Sequence, residues 1–465
     1  MRRSSSDKDN DMSFNRRNLL KSAGTTLSAL PLLGTRAFAA AAPKTGLHHP
    51  ARAKRVIFMH MVGAPSQIDL FDPKPMLAKY AHKSLPASVI KNVNFSFISP
   101  DSAALPALWD FKKHGRRGTT VSTLLPHFSK IVDDVCIIRS MYTSEFNHPG
   151  GELMLHTGFG QLGRPSLGAW IDYALGSTNP DLPSNIVMCT GGGSAAGTAP
   201  WGTGFLPSQH QGVRMRGSGD PVLFLNNPKD IDTDRRRKML DAVRKLNELQ
   251  LARSHDPETE TRIAQYEMAY RMQKSVPDLV NLKSESKATL DLYGVDPDKP
   301  SFARNCLLAR RLAERGVRYI QLMDGDWDHH GKLKEELTVK AGHVDQGMSA
   351  LVTDLKNRGL LDDTLVVWGG EFGRTPMAQL NDGRDHHKDG FTMWIAGGGT
   401  RAGIDYGATD DFGFNVAQDP VHVHDLHATI LHALGIDHER LTFKYQGREF
   451  RLTDVEGNVM KQLLT

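Results

Sequence analysis

Histidines and carboxylates crowd the second half of this chain. Ten of its twenty histidines follow residue 326, and most of them stand within two residues of an acid. The runs are Asp326-Trp327-Asp328-His329-His330, Arg384-Asp385-His386-His387-Lys388-Asp389 and His422-Val423-His424-Asp425. Imidazole and carboxylate together are what borderline and hard divalent cations take as ligands. One His beside one Asp is more often a surface hydrogen bond or a cap. The first two runs rise above that background because each adjoins a predicted strand, and loops at the carboxyl ends of parallel strands build sites. Glu371 is the sharpest case. The run from Asp362 to Gly370 is an apolar strand ending in small residues, and a carboxylate follows at once, placed to be a metal ligand. His427 and His432, five apart on a predicted helix, read as helix-surface or satisfied core residues.

The elements that must position these groups are short, nearly continuous apolar runs: Arg55–Met61, Val135–Arg139, Asn185–Cys189, Val317–Met323, Thr364–Trp368 and Thr392–Ala396. Strands buried on both faces read this way, which predicts an α/β fold with a mainly parallel sheet covered by helices. One region breaks the alternation. From Ile231 to Leu292 the chain is charged, poor in Gly and Pro, and helically spaced at Met239, Val243, Leu246 and Leu249. A segment of roughly 60 residues exceeds the usual crossover, so it is expected to be a helical insertion, residues 231–292, acting as a cap or lid. Gly191–Gly193 and Gly397–Gly399 lack a following Lys-Ser or Lys-Thr and are loop signals, not phosphate-cradling loops.

These segments resemble the alkaline phosphatase and sulfatase superfamily. Its pattern of Asp-Asn-Thr, an apolar strand, then a metal-binding Asp followed by Asn or His and Gly is met here by Asp362-Asp363-Thr364. Glu371 then stands at the Asp position and Phe372 at the Asn or His position. The stretch from Asp425 to Ile436 looks like the superfamily's Asp-Leu-x-Pro-Thr helix ending at Gly, a structural segment. Sulfatases place a nucleophilic Cys or Ser nine residues before Thr-Gly, and Thr157-Gly158 puts His148 there. Histidine can be a covalent nucleophile, a metal ligand or a general base, or can simply cap the helix that follows. Ser144 and Thr143 lie upstream as substitute hydroxyls. Where the superfamily has an acidic ligand directly after the first strand, this chain has Asp69 late in the loop. Either the loop folds back to bring Asp69 in, or Gln67 replaces it.

Four further signatures, Gly63-Ala64-Pro65-Ser66, Gly370-Glu371-Phe372-Gly373-Arg374-Thr375-Pro376, Gly383-Arg384-Asp385-His386 and His424-Asp425-Leu426-His427-Ala428-Thr429, resemble an exported family often labelled sulfatase-like, across residues 54 to 456. The resemblance implies an alkaline-phosphatase-like three-layer α/β/α sandwich and hydrolysis of sulfate or phosphate esters with a divalent metal: zinc, manganese or calcium. It implies Glu371, Asp385, His386, Asp328 and His330 as ligands, with Asp69 and His387 as further candidates. His148 would act at the nucleophile position, and Arg374 would steady an anionic oxygen as a fork of donors. The substrate class is a sulfated or phosphorylated small molecule or glycan. The missing Cys, Ser or Thr at position 148 supports the alternative of a non-catalytic exported binding or envelope protein on the same fold.

Residues 1–39 read as a twin-arginine export signal, with Arg16-Arg17 before an apolar run from Ser22 to Leu33 and Ala37-Phe38-Ala39 before Ala40. That run is too short to span a bilayer, which takes about 20 apolar residues. No later segment reads as a span, so the mature chain, residues 40–465, is expected to be without a transmembrane segment and to be periplasmic or secreted. Residues 1–39 carry seven Lys or Arg against three Asp, which is +4 of the chain's +5. The remainder is near neutral, which argues against nucleic-acid binding, whose footprint is a concentrated basic excess. Three scattered cysteines, Cys136, Cys189 and Cys306, suggest neither a disulfide framework nor a zinc ribbon.

Overall fold

All six predicted strands are strands in the computed structural model, which describes residues 46–465 except 92, 94, 96, 218, 219, 223, 224 and 255. The segment expected to be an export signal, residues 1–39, lies outside the described residues. The strands are β1 (Arg55–Met61), β2 (Val135–Tyr142), β3 (Asn185–Thr190), β5 (Tyr319–Asp324), β6 (Thr364–Gly369) and β9 (Phe391–Ala396). With β4 (Val213–Met215), β10 (Ile404–Tyr406) and β11 (Val421–His422) they form one nine-stranded sheet. Its order is β10-β2-β9-β6-β1-β5-β3-β4, with β11 also paired to β2. Only β9 runs antiparallel to its neighbours, as expected of a mainly parallel sheet. A separate antiparallel hairpin, β7 (Gly373–Gln379) and β8 (Gly383–His387), follows the centre of the sheet.

Strand alternation explains the two cores. Ile57, Met59 and Met61 of β1 face a cluster with α5 (Phe302–Glu314) and α6 (Leu333–Asn357). Val56 and Phe58 face the opposite cluster, with α1 (His148–Thr157), α2 (Leu167–Leu175) and α7 (Val423–Ala433). Successive side chains of a strand point to opposite faces, so a run apolar at every position must be covered twice. The result is the expected α/β/α arrangement.

The 231–292 segment supplies α3 (Thr233–Ser254) and α4 (Pro257–Val280). Met272, Val276 and Leu279 of α4 are buried in the core with α5, whose neighbouring Arg315 pairs with Asp278 at 2.6 Å. Leu246 and Leu249 of α3 are exposed. No helix among the described residues is long and apolar enough to cross a membrane.

Parallel strands share a direction, so the loops leaving β1, β2, β5 and β6 emerge at one edge of the sheet. Gly63 lets two of them meet. Its φ is +107°, and a Cβ there would lie 2.6 Å from the backbone nitrogen of Asp328, so the first loop can approach the fifth strand's loop this closely only with Gly.

Candidate metal centre

His148 opens α1, after β2. Its N-terminus is built by Asn147, whose side chain accepts the N–H of Gly150, and by Pro149 in the first turn. Asp328 and His330 come from the loop after β5. That loop is pinned by Trp327, which donates from its indole to Asp324 at 2.9 Å and from its backbone to the Val62 carbonyl at 3.1 Å. His386 lies on β8, where the hairpin register shifts between Arg384 and His386. A bulge of this kind re-aims side chains beside a site.

These four residues converge, with one ligand atom from each lying within 4.8 Å of the others. The Nε2 atoms of His148, His330 and His386 are 3.1, 2.9 and 3.3 Å from Asp328 Oδ1. His330 Nε2 and His386 Nε2 are 3.0 Å apart. The other ring nitrogen of each histidine meets an oxygen. His148 Nδ1 is 2.6 Å from Glu371 Oε1, His386 Nδ1 is 2.8 Å from the Phe146 carbonyl, and His330 Nδ1 bonds the Gln379 amide oxygen. An oxygen acceptor at Nδ1 requires the proton there, which leaves the lone pair on Nε2.

With all three rings neutral, three lone pairs and a carboxylate oxygen would therefore face one point. A cation among the four atoms would relieve their repulsion; without one, burial of His148 is outweighed by its hydrogen bonds to Asp328 and Glu371, which raise its pKa to about 9 and keep a proton on the ring. The donor set fits a borderline divalent ion, and the spacings approach the roughly 3.3 Å between ligand atoms that a tetrahedral zinc with bonds near 2.0–2.1 Å would have. His, His, His and Asp would hold it, and each Nδ1–H anchor is what metal-binding histidines need for orientation.

Glu371 is placed behind the cluster. It is fully buried and accepts from His148, from His60 Nε2 at 3.0 Å and from the Gly63 N–H at 3.0 Å. Burial alone would raise its pKa, but the hydrogen bonds from His148 and His60 hold it below the usual carboxylate range. His60 Nδ1 in turn meets His156 Nε2 at 2.9 Å. Burial and the neighbouring His60 push the pKa of His156 down, so it stays neutral. Asp328 is likewise held well below the carboxylate range: its partial burial is outweighed by His148, His330, His386 and Arg374.

The remaining candidates lie outside the cluster. Arg374 is buried and its guanidinium is committed: Nε to the Ala64 carbonyl at 2.9 Å, Nη1 to the Arg384 carbonyl at 3.1 Å, and Nη2 to Gly63 and to Asp328 Oδ1 at 2.5 Å. Asp385 accepts the backbone N–H groups of Phe97 at 2.6 Å, Ile98 at 3.0 Å and His386 at 2.8 Å. His387 points to the other face of the hairpin from His386, and its Nε2 meets the Phe414 carbonyl. Asp69 forms a buried two-point pair with Arg384, at 2.7 and 3.2 Å, and Gln67 clasps the backbone of Arg374 in both directions at 2.8 Å. These last contacts tie the hairpin to the loop after β1. Thr143 is buried and Ser144 exposed, and neither hydrogen-bonds a member of the cluster.

His60 and His156 were not singled out by sequence reasoning. A signal was available. His148, Glu152 and His156 are spaced by four on one helix and so share a face. Glu152 is buried there too, accepting Ser194 and the Ala195 N–H.

None of the curated proteins compared with this chain matches it. Solved structures resemble it at low identity. The lipoteichoic acid synthase LtaP from Listeria monocytogenes is 10% identical, with 86% of this chain and 75% of that one covered and a TM-score of 0.35. A protein in the alkaline phosphatase superfamily from Vibrio parahaemolyticus is 11% identical over 84% and 69%, with a TM-score of 0.37. The phosphonate monoester hydrolase SpPMH from Silicibacter pomeroyi is 12% identical over 88% and 76%, at 0.34. Residues 53–464 match the family described as Protein of unknown function (DUF1501), and the chain belongs to that family.

Proposed function

We propose that this protein is an exported, metal-dependent hydrolase of sulfate or phosphate esters. The observation that carries the reading is the convergence of three anchored imidazoles on Asp328 Oδ1. A divalent cation bound there would supply Lewis-acid polarisation of an ester oxygen and activation of water. The chain's own residues do the rest. His148, His330 and His386 present lone pairs fixed by their Nδ1 partners. Glu371 holds the His148 ring, and Arg374 holds the Asp328 carboxylate. Phe372, buried against His148 and His386 with ring centroids 5.1 and 4.7 Å away, excludes water from the rear of the site. Both nitrogens of His148 are engaged, and no hydroxyl or thiol hydrogen-bonds the cluster among the described residues, so the reading is attack by water on phosphorus or sulfur. The water delivers OH to that atom, the ester bond breaks, and the alcohol leaves with a proton.

The second reading is an exported binding or envelope protein without turnover. The histidine at position 148, where sulfatases place Cys or Ser, favours it.

Elemental analysis of folded protein, wild type beside His386→Ala and Glu371→Ala, followed by an ester screen, decides between them. Stoichiometric metal lost in His386→Ala, with ester turnover lost in parallel, supports the hydrolase. Metal binding without turnover of any sulfate or phosphate ester supports the binding protein. No retained metal after incubation with zinc, manganese or calcium would sink the metal centre itself.

A further inference from the structure

The cluster is open on one side: the Asp328 side chain is 40% exposed, whereas that of His386 is 5% exposed. Three residues next to the cluster expose large apolar side chains. Phe97 is 64% exposed, Phe146 44% and Leu380 80%. Each is tied to a ligand. The Phe97 ring meets His386 and His330 edge-on, with centroids 5.6 and 6.2 Å apart. Phe146 supplies the carbonyl that anchors His386. Leu380 follows Gln379, the anchor of His330, and its side chain lies beside Gly331.

Scattered exposed apolar residues are ordinary on a protein surface, but a set of them flanking one opening marks a contact surface. Leu380 adds a second observation. It sits at the tip of the β7–β8 hairpin with φ at +55°, a left-handed conformation in which a bulky side chain is an outlier. Strain of this kind collects at ligand clamps and active sites. Asn or Gly would relax the turn, yet this position holds an exposed leucine.

We infer that this rim binds the apolar body, alkyl or aryl, of an amphiphilic ester whose anionic sulfate or phosphate head lies at the metal centre. The inference rests on the hydrolase reading for the head and specifies the rest of the substrate. Charge divides the opening in the same way: a cation held by His148, His330, His386 and Asp328 attracts the head, while hydrocarbon surrounds the exit path.

The test uses three phosphonates with no ester bond to cleave, titrated calorimetrically into zinc-loaded protein of verified metal content: methylphosphonate, phenylphosphonate and octylphosphonate. In wild type, octylphosphonate and phenylphosphonate are expected to bind at least tenfold tighter than methylphosphonate. Leu380→Asn, which suits the left-handed backbone, should lose part of that advantage. Phe97→Ser combined with Leu380→Asn should lose nearly all of it, while methylphosphonate affinity and bound zinc stay at wild-type levels. Equal affinity for all three in wild type, or a tail advantage that survives both substitutions, overturns the inference and leaves the hydrolase reading standing. If the zinc-loaded wild type binds none of them, the hydrolase reading fails and the inference fails with it.

Discussion

Glu371 Oε1 receives the Nδ1–H of His148 at 2.6 Å, so a fully buried carboxylate acts on the site through a histidine. A buried anion without a full positive partner is costly. Here the donors are His148, His60 and a backbone N–H; His148 is held protonated by Glu371 and Asp328, and a cation bound beyond its ring would take over that charge. Glu371→Gln keeps the shape and removes the charge. Its metal affinity is expected to fall about 10- to 100-fold, as for other partners that orient a metal-binding histidine. Competition with a chelating dye measures this, with circular dichroism confirming the fold. Wild-type affinity in the folded variant would mean that Glu371 has no part in the metal centre.

The adjacent pair His386 and His387 makes a sharper contrast. His386→Ala is expected to lose the metal and also some stability, because it too is buried and holds a carbonyl, that of Phe146. His387→Ala is expected to keep the metal and lose about 2–4 kcal/mol of stability, because it leaves a cavity and strands the Phe414 carbonyl. Metal stoichiometry and urea unfolding of the two variants check both halves. Metal loss in folded His387→Ala would contradict the assignment.

The runs singled out in the sequence contain Asp328, His330 and His386, which converge in the fold, but the sequence could not choose within them. Continuous apolar runs announce strands covered on both faces, so the sheet was legible, and with it the edge where the loops after β1, β2, β5 and β6 gather. Which of two neighbouring histidines faces inward depends on the bulge between Arg384 and His386, and the β7–β8 hairpin itself carries no clean alternation to reveal it. Glu371 lies where expected along the chain, yet Gly151 lets α1 approach so closely that a Cβ there would lie 3.2 Å from Glu371 Cβ. That approach puts His148, rather than Glu371, at the front. His60 escaped notice because in Arg55–Met61 it continues an apolar pattern, and only the paired Glu371 and His156 give it a polar purpose.

The Asp69–Arg384 pair carries a stability prediction. Both side chains are buried, and the two also receive or donate to Ser66, Leu108, Leu105, Thr375 and Pro106. Removing one partner of a buried pair leaves the other uncompensated and costs about 3–5 kcal/mol. Asp69→Ala should therefore shift the urea midpoint far more than Asp298→Ala, whose pair with Lys283 is exposed on both sides and is worth about 0–1 kcal/mol. Equal shifts would show that Asp69 does not brace the hairpin.

The last prediction concerns pH. His427 is fully buried on α7, with its Nε2 2.7 Å from the Leu155 carbonyl. Burial first, and the neighbouring His424 second, lower its pKa from 6.5 to about 3. A histidine depressed in the folded state stays neutral there while the unfolded chain takes up a proton. The stability it contributes is therefore complete above pH 6.5 and is lost as the pH falls from 6.5 towards 3. At pH 5 the loss amounts to about 2 kcal/mol for this one group. His427→Gln keeps a donor for the Leu155 carbonyl and removes the titration. Its unfolding free energy between pH 8 and pH 5 should thus fall by about 2 kcal/mol less than that of wild type, whatever the other histidines contribute to both. Denaturant unfolding of metal-free protein at the two pH values gives the difference directly. Parallel pH profiles would mean that His427 is already protonated in the fold, or that the unfolded chain does not take up the proton.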